Sequence, residues 1–344
     1  MRAAILSVSG PVLLEAECSL LSDLQPWGVI LMGRSCQTRG QVQRLVDEIW
    51  AALERPCLIF IDQEGGRVAR LKAPEWPTFP PAAAYGALYQ RSPDAGLEAC
   101  WLGHRLMAAE LAALGIHADC APVLDLPAPG SHAVIGDRAF AAEPLAAAAL
   151  ARAALDGLSD GGVAGVIKHI PGHGRAKVDS HDSLPRVADS EAALDTDFEA
   201  FARVADAPMA MTAHIAYDSL DAGRAATHSP TVINRVIRGR IGFDGLLMTD
   251  DLGMEALRGT LADRAHRSLV AGCDVLLHCA GFKQDPDDIL AEMRAVGEAA
   301  PELAGEALRR ARAAEAAATR QLPFDAEAGR ARLDALLAGS GAAA

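Results

Sequence analysis

The stretch GLLMTDDLGMEAL, residues 245–257, decides how the chain is read. Leu246, Leu247 and Met248 follow one another without the polar alternation of a strand that keeps one face in water. The run stops at Asp250 and Asp251, and a helix is expected to begin with LGMEAL. A strand apolar on both sides is covered on both sides, as in a parallel sheet flanked by helices. CLIFID at 57–62 and DVLLH at 274–278 have the same form. Working outward, short apolar segments recur at 4–9, 28–32, 57–62, 117–125, 163–169, 209–215, 245–250 and 273–278. Helical patterns lie between most of them, for example at 41–54, 97–115 and 143–158. Strand alternating with helix is an α/β arrangement, and eight strands fit a closed, single-domain (β/α)8 barrel of the TIM type. An open doubly wound sheet is the alternative, but no GxGxxG stands at the first strand–helix turn. The barrel is expected over residues 1–322, with 323–344 forming a C-terminal helix and a frayed tail, packed on the barrel or trailing from it.

Composition narrows the function classes. The 344 residues are 51% hydrophobic and 22% charged, enough to bury a sizeable core and unlike a disordered chain. Lys and Arg number 32 against 45 Asp and Glu, a net charge of −13, and no basic run interrupts that field. Phosphate backbones and anionic lipid heads would be repelled, so neither nucleic acid nor a membrane is an expected partner. The seven cysteines form no CxxC pair and several sit in apolar runs, which points to a reducing compartment. The opening MRAAILSVSGPVLLEAECSLL is broken by Ser7, Ser9, Gly10 and Pro11 and lacks a small-residue cleavage site. With no apolar window of about 18 residues, the protein is expected to be cytoplasmic. A monomer is expected. The proline-rich KAPEWPTFPPAAAYG at 72–86 reads either as a surface connection or as a rim around a site.

In a parallel barrel the residues just past the strand C-termini converge on one face. Here those positions are polar: Asp62, Gln63, Glu64, Arg67 and Arg70 after the third strand, then Asp125, Asp137 and Arg138 around the fourth. Lys168, His169, His173, Asp179 and His181 follow in the fifth loop, His214 after the sixth strand, Asp250 and Asp251 at the seventh, His278 at the eighth. One apolar strand ending in a charge is ordinary, and six point to a site. Pro171, Gly172 and Gly174 can turn the chain away from the fifth strand. Asp179 and His181, two apart, can pair carboxylate with imidazole and leave one ring nitrogen free for proton transfer. DSHDS can equally be a turn capped by its own side chains. Lys168 and His169 can be a strand end satisfied by backbone. Of Asp250 and Asp251, one can cap the following helix while the other points into the barrel, and spacing does not say which.

IDQEGGRVARL at 61–71, KHIPGHG at 168–174, DSHDSLP at 179–185, MTAHIAYDSLD at 211–221 and IGFDGLLMTDDLGMEAL at 241–257 together resemble family-three glycoside hydrolases. More closely, they are similar to the bacterial β-N-acetylglucosaminidases of peptidoglycan recycling. The likeness runs in order from about residue 28 to 281. The resemblance implies Asp250 as nucleophile, His181 as general acid/base and Asp179 as the residue orienting it. It implies Asp62, Arg70, Arg138, Lys168 and His169 as the residues holding an N-acetylglucosamine ring. It further implies hydrolysis of terminal N-acetylglucosamine from muropeptide fragments with retention of configuration, and neither metal nor cofactor. Two positions depart from the pattern: Ile170, where phenylalanine is common, and His228, where a smaller or apolar residue is usual. A histidine with an ordinary pKa of ~6.5 can serve as acid and then base at neutral pH, in place of the second carboxylate of most glycosidases. Three rivals remain. A metal-dependent amidohydrolase barrel would want an HxH pair leaving the first strand, where Ser9-Gly10-Pro11 stands instead. A phosphorylase would exchange water for phosphate, and a sugar-binding protein would keep the pocket without turnover.

Overall fold

Covering both faces of each strand requires either helices on two sides or a sheet closed on itself, and this chain does both. In a computed structural model, which describes residues 1–180, 183–281, 283–318 and 321–339, eight parallel strands close a barrel. They are β1 (Arg2–Ser7), β2 (Pro26–Leu31), β3 (Leu58–Ile61), β4 (Ala118–Asp119), β5 (Ala164–Ile170), β6 (Met209–Thr212), β7 (Leu246–Asp251) and β8 (Val275–His278). Each pairs with its sequence neighbours, and β8 closes on β1 with Ile5 opposite Leu277. Alternate residues face two cores. Ile5, Ile30, Phe60, Val166, Met209, Met248 and Leu277 fill the barrel, whereas Leu6, Leu31, Ile61, Ile167, Leu247 and Leu276 meet the surrounding helices. Burial on both sides is why these strands read as continuous apolar runs.

The helices form close to where periodicity placed them. The pattern at 41–54 is the helix Arg39–Leu53, begun by Thr38, whose side chain accepts from Gln41 N. Those at 97–115 and 143–158 are Pro93–Ala112 and Pro144–Asp160, each with proline in the first turn, where its missing N–H costs nothing. One expectation fails. LGMEAL is a series of turns, and the helix starts at Leu261, where Thr260 and Asp263 make a reciprocal capping box. The fourth strand is also shorter than 117–125. Only Ala118–Asp119 forms a regular ladder, with Val123 bridging Lys168 further on, and Pro122 between them has no N–H to donate.

The two barrel ends differ. Helix Gly305–Ala317 sits under the N-terminal end, where Ala311, Ala314 and Ala318 join the interior core and Trp27 Nε1 donates to Glu315 Oε1 at 2.7 Å. Helix Ala326–Ala338 lies against Pro93–Ala112, with Arg332 bidentate on Glu98 and Arg105 4.4 Å over the Phe324 ring. The tail at 340–344 lies outside the described residues. Among the described residues no helix closes the opposite end in the same way, and the polar strand termini meet there. No helix among the described residues is long and apolar enough to cross a membrane.

Candidate active site

The β3 loop is folded back over the barrel mouth by the side chain of one glutamine. Gln63 Oε1 accepts from Arg70 N at 2.9 Å and Leu71 N at 3.0 Å, and Gln63 Nε2 donates to Leu71 O at 3.1 Å. This staple returns Arg70 to the strand end it left. Gly65 turns the loop at φ +90°, with no room for a Cβ, which would lie 2.3 Å from Pro80 O. The proline-rich segment 72–86 therefore buttresses the loop from behind. It buries Trp76 and Phe79, and none of its residues lines the cavity.

The result is a buried charge cluster on one wall of a cavity of about 360 Å3. Lys168 Nζ stands 2.9 Å from Asp62 Oδ1 and 2.7 Å from Glu64 Oε1. Arg70 Nη2 donates to Asp62 Oδ2 at 2.9 Å, and Arg138 clasps Glu64 with Nε and Nη2, both at 2.8 Å. Burial would raise the two carboxylates, but Lys168 and the arginines overcome it and hold both low, Glu64 at about 2. Burial likewise opposes the Lys168 ammonium, and the two carboxylates keep it well above its usual range. The cluster carries three cations and two anions, each cation held by a carboxylate, so it can present N–H donors to a polyol.

A second wall is built on Asp125. Its Oδ1 accepts from His169 N at 3.1 Å and His173 N at 2.6 Å, and its Oδ2 lies 2.6 Å from His169 Nδ1. Burial works against ionisation of Asp125, yet His169 and the backbone donors bring it down to about 2. An ionised carboxylate can only accept, so His169 Nδ1 carries the hydrogen and Nε2 is left free. His173 Nε2 is 3.0 Å from Ser180 Oγ and so ties the start of the fifth loop to the residue beside Asp179. Gly174 passes so close to Leu126 that a Cβ would lie 1.8 Å from its carbonyl oxygen.

Both adjacent aspartates of the floor line the cavity, and their hydrogen bonds tell them apart. Asp251 is fixed by backbone: its Oδ1 accepts from Gly253 N at 2.9 Å and Cys279 N at 3.0 Å. Asp250 accepts a single hydrogen bond among the described residues, from Asp251 N to Oδ1 at 2.8 Å, and Oδ2 is left open. Burial pushes the Asp250 carboxyl up, but His169, His214, the backbone donor and Lys168 together bring it below the ordinary range. It is an anion at neutral pH. Asp251 therefore caps the turn after β7, not a helix.

The cavity thus gathers Asp62, Arg70, Arg138, Lys168, His169, Asp179 and Asp250. His181 lies outside the described residues. Both Lys168 and His169 reach the cavity because the register of β5 against β6 shifts between Lys168 and Ile170; in a regular strand neighbours face opposite sides. Glu64 and Asp125 are organising residues that the motif reading passed over, although both stand among the polar residues at the strand ends. His214 sits behind the floor, with Nε2 3.1 Å from Asp251 O, and His278 is buried against Glu292 Oε2 at 3.1 Å, away from the cavity. Among the described residues no group of three or more His, Cys, Asp or Glu could hold a metal ion.

These titrating groups predict how stability follows pH. Burial lowers His173 and His104 to about 4, so between about 6.5 and 4 the unfolded chain takes up protons that the fold refuses. Glu64 and Asp125, both lowered to about 2, continue the trend below the ordinary carboxylate range. Asp119, Asp156 and Asp197, all raised by burial and Asp197 to about 6, oppose it, but His214 and His228 are lowered as well and add to the trend. Thermal melts should show a midpoint that is level above about pH 7 and falls progressively from about 6.5 downward. A midpoint unchanged between pH 7 and 4 would contradict the neutral, buried state of these histidines.

The sequence pattern of the glycosyl hydrolase family 3 N-terminal domain matches residues 7–310. A β-hexosaminidase of Alkalilimnicola ehrlichii is 40% identical over 308 residues, 85% of this chain and 87% of that one. One of Xylella fastidiosa is 39% identical over 280 residues, covering 80% and 82%. The crystal structure of NagZ from Neisseria gonorrhoeae in complex with N-trifluoroacetyl-D-glucosamine superposes with a TM-score of 0.82 at 31% identity, over 99% of this chain and 97% of that one. A family 3 β-N-acetylglucosaminidase from Paenibacillus gives 0.78 at 29% identity, over 99% of this chain and 62% of that one.

Proposed function

The chain belongs to glycosyl hydrolase family 3, and we propose that it is a retaining exo-β-N-acetylglucosaminidase acting on peptidoglycan fragments. Its substrates would be N-acetylglucosaminyl-1,6-anhydro-N-acetylmuramoyl peptides, cleaved in the cytoplasm by a monomer without metal or cofactor. The observation that carries this reading is the Asp250 carboxylate, ionised and with one oxygen open, in the same cavity as the Lys168 and Arg70 donors that Asp62 holds in place. The β-hexosaminidase relatives support the sugar, and seven unpaired cysteines support a reducing compartment.

In the proposed mechanism Asp250 Oδ2 attacks the anomeric carbon as the glycosidic C–O bond breaks. His181 gives its proton to the departing oxygen. Water, deprotonated by the now neutral His181, then attacks the same carbon and releases Asp250, so two inversions give net retention. His169 is poorly placed to be the acid. It is the neighbour that lowers Asp250 most, which puts it beside the nucleophile, whereas the acid must serve the leaving group. Asp179 and Ser180, which precede His181 in the sequence, line the cavity and support this assignment.

The test is turnover of an aryl β-N-acetylglucosaminide and of the peptide-bearing disaccharide in phosphate-free buffer, with and without EDTA. NMR would identify the anomer formed first. Chelator-insensitive release of the β-anomer from both is expected. Dependence on phosphate or on a metal, or first release of the α-anomer, would sink the proposal. His181→Ala should lose about a hundredfold on the disaccharide, whose leaving group needs a proton, and far less on an aryl group that leaves as a stable anion. Equal losses on both would remove His181 from the acid role.

A further inference from the structure

A second cavity, of about 690 Å3, opens beside the sugar pocket, and its lining is basic. Arg186, Arg224, Arg258 and Arg267 face it against one acidic residue, Glu255, in a chain whose net charge is −13. Two of these arginines are already answered: Arg186 Nη2 is 2.9 Å from Asp218 Oδ1, and Arg224 Nη1 is 3.5 Å from Asp221 Oδ2. Arg258 and Arg267 make no hydrogen bond or ion pair among the described residues. Asp263, one helical turn before Arg267, is the natural i,i+4 partner. Its Oδ2 instead accepts from Thr260 N at 3.1 Å and Thr260 Oγ1 at 2.9 Å, closing the helix cap. His228, the departure from the family pattern, also lines the cleft. It lies 3.2 Å from Arg264 O through Nε2, and burial, with His214 and the neighbouring arginines, pushes it down to about 4. It is a neutral wall that leaves the arginine charge intact.

The cleft and the sugar pocket are separated by the two loops that do the chemistry. Asp179 and Ser180 line the pocket while Ser183 and Leu184 line the cleft, and Met254 lines the pocket while Glu255 lines the cleft. Adjacent Cα atoms are ~3.8 Å apart, so the two linings lie within about 11 Å of one another along either loop. A substituent on the leaving half of a substrate, on the side of the fifth loop, has the cleft within reach.

We propose that this cleft is an aglycone subsite for carboxylates carried by the leaving half of the substrate, with Arg258 and Arg267 as the donors. The inference rests on the glycosidase reading above and adds what that glycosidase selects: an acidic, peptide-bearing aglycone over a neutral one. Arginine forks match carboxylates bidentately, and at an exposed site the contribution is modest and screened by salt.

The test compares three substrates with the same N-acetylglucosaminyl group. One carries a neutral aryl aglycone, one the anhydromuramoyl peptide with free carboxylates, and one the same peptide amidated. Wild type should favour the free-carboxylate substrate over the amidated one in kcat/KM by about tenfold at low salt, with the ratio shrinking as salt rises. R258E/R267E should lose that preference and keep wild-type turnover of the aryl substrate, which also shows that it has folded. Equal use of both peptide substrates by wild type, or a preference unchanged in the double variant, overturns the subsite while leaving the glycosidase standing. Free succinate altering aryl turnover in wild type and not in the variant would make the cleft an effector site for anions, and also overturns it. Failure to cleave the aryl substrate at all overturns the underlying reading, and this one with it.

Discussion

Asp250→Asn is expected to reduce kcat on an aryl β-N-acetylglucosaminide by about 10⁴-fold or more, with the thermal midpoint close to that of wild type. Asparagine keeps the shape and one carbonyl oxygen, so it can still accept the Asp251 N–H that Asp250 Oδ1 accepts at 2.8 Å. What it loses is the anion that neighbouring His169, His214 and Lys168 maintain despite burial, and with it the nucleophile of the proposed mechanism. Asp251→Ala supplies the contrast. That carboxylate holds Gly253 N and Cys279 N on one oxygen, and its loss should show first as a lower melting temperature. If Asp250→Asn kept more than a tenth of wild-type turnover while Asp251→Ala abolished it at unchanged stability, the two roles would have to be exchanged.

That contrast marks where the sequence stops being legible. The barrel could be read because each strand is buried on both faces, which leaves the apolar runs at 57–62 and 245–250 no other economical home. Polar residues at strand ends could be read because a parallel barrel has only one end at which they collect. Which of two neighbouring residues turns inward could not. The β7 register shifts against β8 between Val275 and Leu277, and the β5 register shifts against β6 beside Lys168, so alternation fails where the site is built. The helix placed on LGMEAL failed for a related reason: Gly253 and Gly259 flank a short apolar stretch whose burial comes from loop packing, while the true start at Thr260 carries a capping box. Glu64 and Asp125 were missed as organisers because their importance lies in what they touch. Glu64 meets Lys168 and Arg138, which are distant in sequence, and no local pattern reports that.

The residue with the most to lose from that long-range arrangement is Lys168. Its ammonium is almost wholly buried, at 3% side-chain exposure, and is shared by Asp62 and Glu64. Lys168→Met keeps the length of the side chain and removes the charge, leaving two carboxylates facing one another with one arginine each. Breaking a buried pair costs ~3–5 kcal/mol, and the remaining arginines put this case near the lower end. A fall in kcat/KM of at least about a hundredfold should accompany it, carried by KM, because the cluster proposed to receive the sugar hydroxyls loses a donor and its geometry. The pH dependence separates charge from packing. In wild type the lowered carboxylates contribute stability above about pH 4.5 that is lost as pH falls toward about 2. Without Lys168 they take up protons more readily in the fold, so the stability gap between wild type and variant should be widest near neutrality and close on acidification. A gap that stays constant from pH 7 to 3 would assign Lys168 to packing alone. Lys168→Arg should not restore the site, since a planar fork cannot place one compact charge within 3 Å of two carboxylates that each already hold an arginine.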